Sequence, residues 1–215
     1  MPILIPCRED EVMVTLLLME GGYGNFPLHR ASQEGNVKFV LILLGNNYDI
    51  NQKDDAKQTP LHLACEFGQL EVAEELINRQ AYLDASNNDQ LTPLRVAIRK
   101  GRVEMTKLLL NHKANIQKED DVLRTPLHDA GEQGNLEIVE ALLIHGASID
   151  KQDEDNSTPL HLAAEEGKLE VVKALVYHKA NMRLVDDSGR TALDVAKEFN
   201  QDDVASFLES KMKDV

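Results

Sequence analysis

The sequence predicts an all-α solenoid, in which short helix pairs joined by hairpin loops stack side by side. The first observation is a 33-residue period that runs through six units without insertion or deletion. The second is the helical spacing of apolar residues within each unit. The third is the composition, 42% hydrophobic but 4% aromatic with no Trp, which favours an aliphatic core. Three columns of the period are identical in all units: Leu28, Leu61, Leu94, Leu127, Leu160 and Leu193; Ala31, Ala64, Ala97, Ala130, Ala163 and Ala196; Leu43, Leu76, Leu109, Leu142, Leu175 and Leu208.

The second unit shows how the sequence specifies each helix pair. Thr59 is suited to cap a helix that begins at Pro60, and Gly68 is suited to end it. Apolar residues recur at helical spacing after Leu70, which predicts a second helix with one apolar stripe. The polar stretch that follows, including residues 84–89, suits a turn or hairpin. Because neither helix has enough apolar surface to be stable alone, stacked units are expected to share a continuous core.

The period also predicts the domain organisation. Residues 1–20 are expected to form an N-terminal capping helix, centred on residues 10–19, and residues 21–215 a repeat domain. The repeats span about residues 21–53, 54–86, 87–119, 120–152, 153–185 and 186–215.

Three segments carry a family resemblance: Thr59-Pro-Leu-His-Leu-Ala, Thr125-Pro-Leu-His-Asp-Ala and Thr158-Pro-Leu-His-Leu-Ala. They resemble the ankyrin-repeat motif, and the likeness extends over roughly residues 21–210. The resemblance implies an L-shaped stack of helix pairs with β-hairpin fingers. It also implies that the histidine of each motif ties one loop to its neighbour, and that the function is protein recognition.

Several positions depart from this pattern. The first unit begins with Phe26 in place of the capping threonine, and the last reads Thr191-Ala-Leu-Asp, as expected for terminal repeats with one face in water. Arg95 replaces the motif histidine of the third repeat. Gly131 lies within a predicted helix, where it is expected to loosen the helix by roughly 1 kcal/mol relative to Ala. Most fingers also lack a tip glycine, which only Gly24 and Gly189 supply.

Composition excludes several classes of function. The formal net charge of −14 argues against general binding to nucleic acid, where basic residues supply most of the affinity, and against docking on anionic membranes. Two cysteines, Cys7 and Cys65, cannot form a disulfide scaffold or a cysteine-rich zinc site. No secretory signal is visible. We therefore expect a reduced, cytoplasmic protein, with a nuclear location and delivery into a host cell left open.

The candidate chemical groups are explained by the repeat. All seven histidines fall on two columns: His29, His62, His128 and His161, and His112, His145 and His178. Their spacing along a stack does not bring them to one metal, and the Gly21-Gly-Tyr-Gly24 segment lacks the strand and the Lys-Ser or Lys-Thr of a phosphate-binding loop. We predict no catalytic residue, metal or cofactor, and no enzyme activity.

The resemblance places partner binding in a concave groove, at the finger tips and the exposed end of each first helix. Large apolar residues occupy such positions in consecutive repeats, although hairpins can also bury such side chains against the next repeat. The third repeat, residues 87–119, is basic with a net charge of +4, whereas every other segment is acidic. The predicted partner-binding residues are the apolar anchors Phe67, Leu91 and Val122, the donors Arg95, Arg99, Lys100 and Arg124, and the acids Glu165 and Glu166.

These observations predict a monomeric adaptor, scaffold or inhibitor that binds a protein partner. A targeting module of a larger enzyme, or of a bacterial effector acting in a host cell, is the alternative. In addition, Asn51 resembles the family sites that asparagine hydroxylases modify, with Leu43 eight residues before it.

Overall fold

The computed structural model describes residues 26–213, and within this range it contains twelve helices and no strand. The capping helix predicted at residues 10–19 lies outside the described residues, as do Cys7 and Gly24. The helices are α1 Pro27–Glu34, α2 Val37–Gly45, α3 Pro60–Phe67, α4 Leu70–Asn78, α5 Pro93–Arg99, α6 Val103–Asn111, α7 Pro126–Gln133, α8 Leu136–Ile144, α9 Pro159–Glu165, α10 Leu169–Tyr177, α11 Ala192–Glu198 and α12 Asp202–Lys213.

The chain divides into two compact units at the Val96–Ala97 bond. In the first unit, α1 packs against α2 and α3, and α4 packs against α2 and α3. The helix pairs meet through leucines of the repeated columns, among which Leu28, Leu43 and Leu61 are completely buried. The apolar stripes seen in the sequence therefore face one shared core.

The second unit, from Ala97 onward, repeats this packing. The first helices α7, α9 and α11 stack in order, and the second helices α6, α8, α10 and α12 stack beside them. Their repeated leucines are buried: Leu109, Leu127, Leu142, Leu160, Leu175 and Leu208. The predicted fold class, an all-α array of stacked helix pairs, is confirmed in each unit.

The helix ends follow the signals in the sequence. Thr125 precedes Pro126 and forms a capping box with His128, in which each residue satisfies a backbone N–H near the helix start. Gly134 ends α7 in the left-handed conformation, at φ 79°, where glycine avoids the penalty that a Cβ brings. The boxes at Thr59 and Thr158 are built in the same way.

The fingers between helix pairs are tight turns rather than paired strands. In the second repeat, the Asp54 N–H donates to the Gln58 carbonyl at 3.0 Å. The Asp54 carboxylate accepts the N–H groups of Ala56 and Gln58, at 2.9 and 2.8 Å. These side-chain hydrogen bonds take the place of a strand ladder. The five-residue turn is therefore closed both by the backbone and by the Asp54 side chain.

Gly189 occupies a position near the tip of its finger. The equivalent residue has a left-handed backbone in every described finger. These residues, with φ between 56° and 72°, are Lys57, Gln90, Leu123, Asn156 and Gly189. The missing tip glycines therefore do not change the turn, and the other side chains accept a conformation that glycine adopts at less cost.

Gly131 is required by close packing, a role that the expected loosening of α7 does not include. A Cβ at this position would lie 2.8 Å from the carbonyl oxygen of Pro159, at the start of α9. Because that oxygen belongs to the backbone, it cannot move aside as a flexible side chain can. The glycine lets α7 and α9 approach closely.

Candidate functional site

The motif histidines are structural groups that join neighbouring repeats. In the second repeat, Nδ1 of His62 accepts the N–H of Thr59 at 3.1 Å, which leaves the proton on Nε2. Nε2 then donates to the Leu91 carbonyl at 3.0 Å. Burial lowers the pKa of His62 to about 4, so the ring is neutral at pH 7 and fully used in these hydrogen bonds.

His128 and His161 make the same bonds to the carbonyls of Ser157 and Arg190, at 3.2 and 3.1 Å. Burial lowers the pKa of both rings. The implied role of these histidines, tying one loop to its neighbour, is present in the structure.

The predicted contact residues of the first unit divide into one exposed and two buried side chains. Phe67, at the end of α3, is 43% exposed, as a contact residue should be. Leu91 is buried at the base of its finger, and Arg95 is completely buried because the histidine column that it occupies faces the interior. The expectation that Leu91 and Arg95 lie on the surface was wrong.

In the second unit, the predicted basic donors are largely held by carboxylates of the chain itself. The guanidinium of Arg99 lies 3.0 Å from the buried carboxylate of Asp129. Arg124 lies 3.3 Å from Asp153 and 3.6 Å from Glu132. The expected basic patch is therefore weaker than the sequence suggests, since these cations are neutralised locally. Lys100 is exposed at the end of α5.

Val122 is only half-buried, and its carbonyl accepts the N–H of Glu154 in the next finger at 3.1 Å. The neighbouring residue Leu123 is 43% exposed at φ 60°. Leu123 is therefore the more exposed member of this pair, and the role of Val122 as an apolar anchor stays a prediction. The sequence does contain a signal for an unusual residue at this position. Leu123 stands in the repeat column of Gly189, and a branched side chain rarely adopts a left-handed backbone.

The ends of α7, α9 and α11, with the fingers before them, form what we call the inner surface. Its charged residues include Arg124, Glu132, Glu165, Glu166, Arg190 and Glu198. Arg190 bridges Asp186 and Glu198, at 2.7 and 2.6 Å. Burial opposes ionisation of Asp186, but the bonds from Arg190 hold its pKa below the ordinary value.

Glu165 and Glu166 place two adjacent carboxyl groups on the inner surface. Burial and the adjacent charge of Glu166 raise the pKa of Glu165, although Arg190 and Arg124 oppose the change. A cation brought close to this pair would relieve the repulsion that raises the pKa. The arrangement is therefore suited to accept a positive group from outside the chain.

Other candidate chemistry has structural explanations. Burial raises the pKa of the Cys65 thiol, which makes this cysteine inert rather than reactive. Across residues 26–213, no cluster of His, Cys, Asp or Glu has the arrangement to hold a metal ion. Asn51 accepts the Tyr82 N–H at 2.8 Å, and its hydroxylation stays a prediction.

No helix in the described part of the chain is both long enough and apolar enough to cross a membrane.

Comparison with known families agrees with this architecture. The family model described as "Ankyrin repeats (3 copies)" matches residues 28–120, 61–153 and 127–215. These matches cover most of the chain, so the protein belongs to the ankyrin-repeat family. Ankyrin repeats are generally protein–protein interaction modules and are typically non-catalytic. A comparison with curated proteins found no match.

Proposed function

We propose that the chain is a monomeric, non-catalytic adaptor, scaffold or inhibitor that binds a protein partner through the inner surface of the second unit. The observation that carries this proposal is Leu123. Its left-handed backbone costs a branched residue about 1–2 kcal/mol relative to glycine, and yet its side chain is 43% exposed. A strained backbone at a residue whose side chain is not buried is typical of a functional position.

Charge supports the same surface and indicates the chemistry of the partner. Glu154 is exposed in its finger and Glu166 is exposed next to Glu165, whereas Arg124 and Arg190 are engaged by other carboxylates. A partner with an apolar residue for Leu123 and a nearby lysine or arginine would complement both features. Such pairing increases the association rate most at low ionic strength.

Site-specific photo-crosslinking in cells that express the protein tests the proposal. A photoreactive residue placed at position 123 or 166 is expected to capture one protein repeatedly. The same residue at Glu71, which is exposed on α4, provides the control. Equal capture from all three positions, or from Glu71 alone, would exclude the inner surface.

The captured partner then permits a matched test of affinity. Leu123→Asn retains a residue that accepts the left-handed backbone, and Glu166→Lys replaces a negative charge with a positive one. Each is expected to weaken binding about tenfold, or 1.4 kcal/mol. Gln90→Asn, in the same finger column, and Glu71→Lys are the controls and should leave affinity within about twofold.

A further inference from the structure

A groove of about 960 Å³ lies between α10, the turn that follows it, and α12. It is formed entirely within the second unit and shares no residue with the inner surface. The groove is only partly enclosed, with Tyr177 and Lys179 on its α10 side and Phe207 and Lys211 on α12.

The floor of the groove is apolar. Val176, Met182 and Phe207 line it and are half-buried, so part of each side chain faces water. Tyr177 stands at one wall and is 79% exposed. The helix-pair fold does not require an aromatic residue there, because Asn78 and Asn111 occupy the same column in α4 and α6.

The rim of the groove is basic. Among the described residues that line it, the charged ones are Lys173, Lys179 and Lys211, in a chain whose net charge is −14. Lys173 is 2.7 Å from Glu170, which lies outside the lining. An apolar floor beside lysine side chains complements an apolar side chain flanked by carboxylates.

We propose that this groove is a second docking site, which takes an acidic segment of a protein partner. An aromatic residue or leucine of the segment lies on the floor beside Met182 and Phe207, and its carboxylates meet Lys179 and Lys173. The open shape favours a peptide over a small molecule, because small-molecule sites enclose most of the ligand surface. Docking here leaves the inner surface available for another partner.

The test uses the full chain and a fluorescein-labelled peptide, Glu-Asp-Glu-Leu-Phe-Glu-Asp-Glu, measured by fluorescence anisotropy. Two matched peptides replace either the Leu-Phe pair with Ala-Ala or all acidic residues with Lys. We expect the first peptide to bind with Kd below about 1 mM, and the two matched peptides to bind at least tenfold more weakly. Absence of binding by the first peptide, or equal binding by all three, would overturn the proposal.

Methionine methyl resonances report where the peptide binds. In ¹³C-methyl-methionine spectra, the Met182 signal, assigned with Met182→Leu, is expected to move as the peptide is added. Met105 is buried in α6 and should stay in place. Binding that leaves Met182 unchanged contradicts the assignment, as does a Met182 shift produced by sodium decanoate but not by the peptide, which would indicate a small amphipathic anion instead.

Matched variants test the two chemical features of the groove. Lys179→Glu and Tyr177→Asn are each expected to weaken peptide binding at least tenfold. Lys113→Glu is the control for the first, because Lys113 occupies the same column with the same left-handed backbone and is also exposed. If Lys113→Glu weakens binding as much as Lys179→Glu, net charge rather than the groove attracts the peptide, and the proposal fails.

Discussion

The fourth and fifth repeats, residues 120–152 and 153–185, share their core leucines and their capping boxes but differ around the first helix. Both contain the Thr-Pro-Leu-His sequence, with its histidine bonded to the next finger. Among the columns that differ there, three bear on packing and exposure. These pairs are Leu123 and Asn156, Asp129 and Leu162, and Gly131 and Ala164.

For two of these differences, a neighbouring group supplies the matching contact. The buried charge of Asp129 is met by Arg99, and the space that Gly131 leaves is filled by the Pro159 carbonyl. Leu123 remains exposed and has a strained backbone. Packing therefore explains Asp129 and Gly131 but does not explain Leu123.

The buried motif histidines that the repeats share give the largest expected effect on stability, which falls as the pH is lowered. His62, His128 and His161 have lowered pKa values in the folded state, so the unfolded chain binds more protons below about pH 6.5. Stability is therefore full above that pH and falls as the pH drops towards 4. His62 alone should account for about 3 kcal/mol, and the other two act in the same direction.

Urea unfolding at several pH values between 7 and 4 measures this loss. His128→Gln removes one titrating group and should make the slope of stability against pH shallower between pH 6.5 and 5. A slope that stays unchanged would show that His128 binds protons equally in the folded and unfolded chain.

Removing a core leucine should affect both repeats equally. Leu142 and Leu175 are completely buried in the same column, so replacing either with Ala should cost about 2–5 kcal/mol through lost burial and a cavity. Thermal unfolding followed by circular dichroism provides the measurement. An unaltered midpoint for one variant would mean that its leucine does not face the core.

The Arg99–Asp129 pair distinguishes the fourth repeat. Arg99→Ala withdraws the guanidinium from a buried carboxylate and should cost about 2–3 kcal/mol. Adding Asp129→Leu to this variant should restore most of the stability, because Leu162 fills the same column in the fifth repeat. If the double variant is no more stable than Arg99→Ala, the carboxylate was not the source of the loss.

Opposite substitutions in the column of Gly131 and Ala164 test the close packing at Gly131. Gly131→Ala should destabilise the protein by about 1–3 kcal/mol, because the new Cβ meets a backbone oxygen. Ala164→Gly should cost about 1 kcal/mol for a different reason, the flexibility of glycine in a helix. Chemical denaturation of both variants decides the matter, and a more stable Gly131→Ala protein would restore the interpretation of Gly131 as a simple helix weakness.

The sequence predicted the repeated elements well because their signals are local. The 33-residue period, the Thr-Pro helix starts and the leucine columns specify helix pairs and their core without knowledge of any distance. Exposure at single positions depends on how neighbouring repeats meet. For this reason the burial of Leu91 and Arg95 and the close approach at Gly131 could not be read from the chain.

The candidate site was predicted only in part for the same reason. Arg99 and Arg124 were interpreted as available donors because their partners, Asp129 and Asp153, are 30 and 29 residues away. Leu123 could have been found, since it occupies the column of a tip glycine. What the sequence could not show is that the turn keeps its left-handed backbone there.

Leu123→Gly should give the smallest change in stability, with a sign opposite to that of the other substitutions. Relief of the left-handed backbone contributes about 1–2 kcal/mol, and the greater freedom of glycine in the unfolded chain offsets roughly 0.5–1 kcal/mol of it. A net gain of roughly 0.5–1 kcal/mol is expected in urea unfolding. Asn156→Gly, at φ 56° in the fifth repeat, should gain less, because asparagine accepts this backbone more readily. If Leu123→Gly lowers stability instead, the side chain is held by packing, and its exposure no longer indicates a partner.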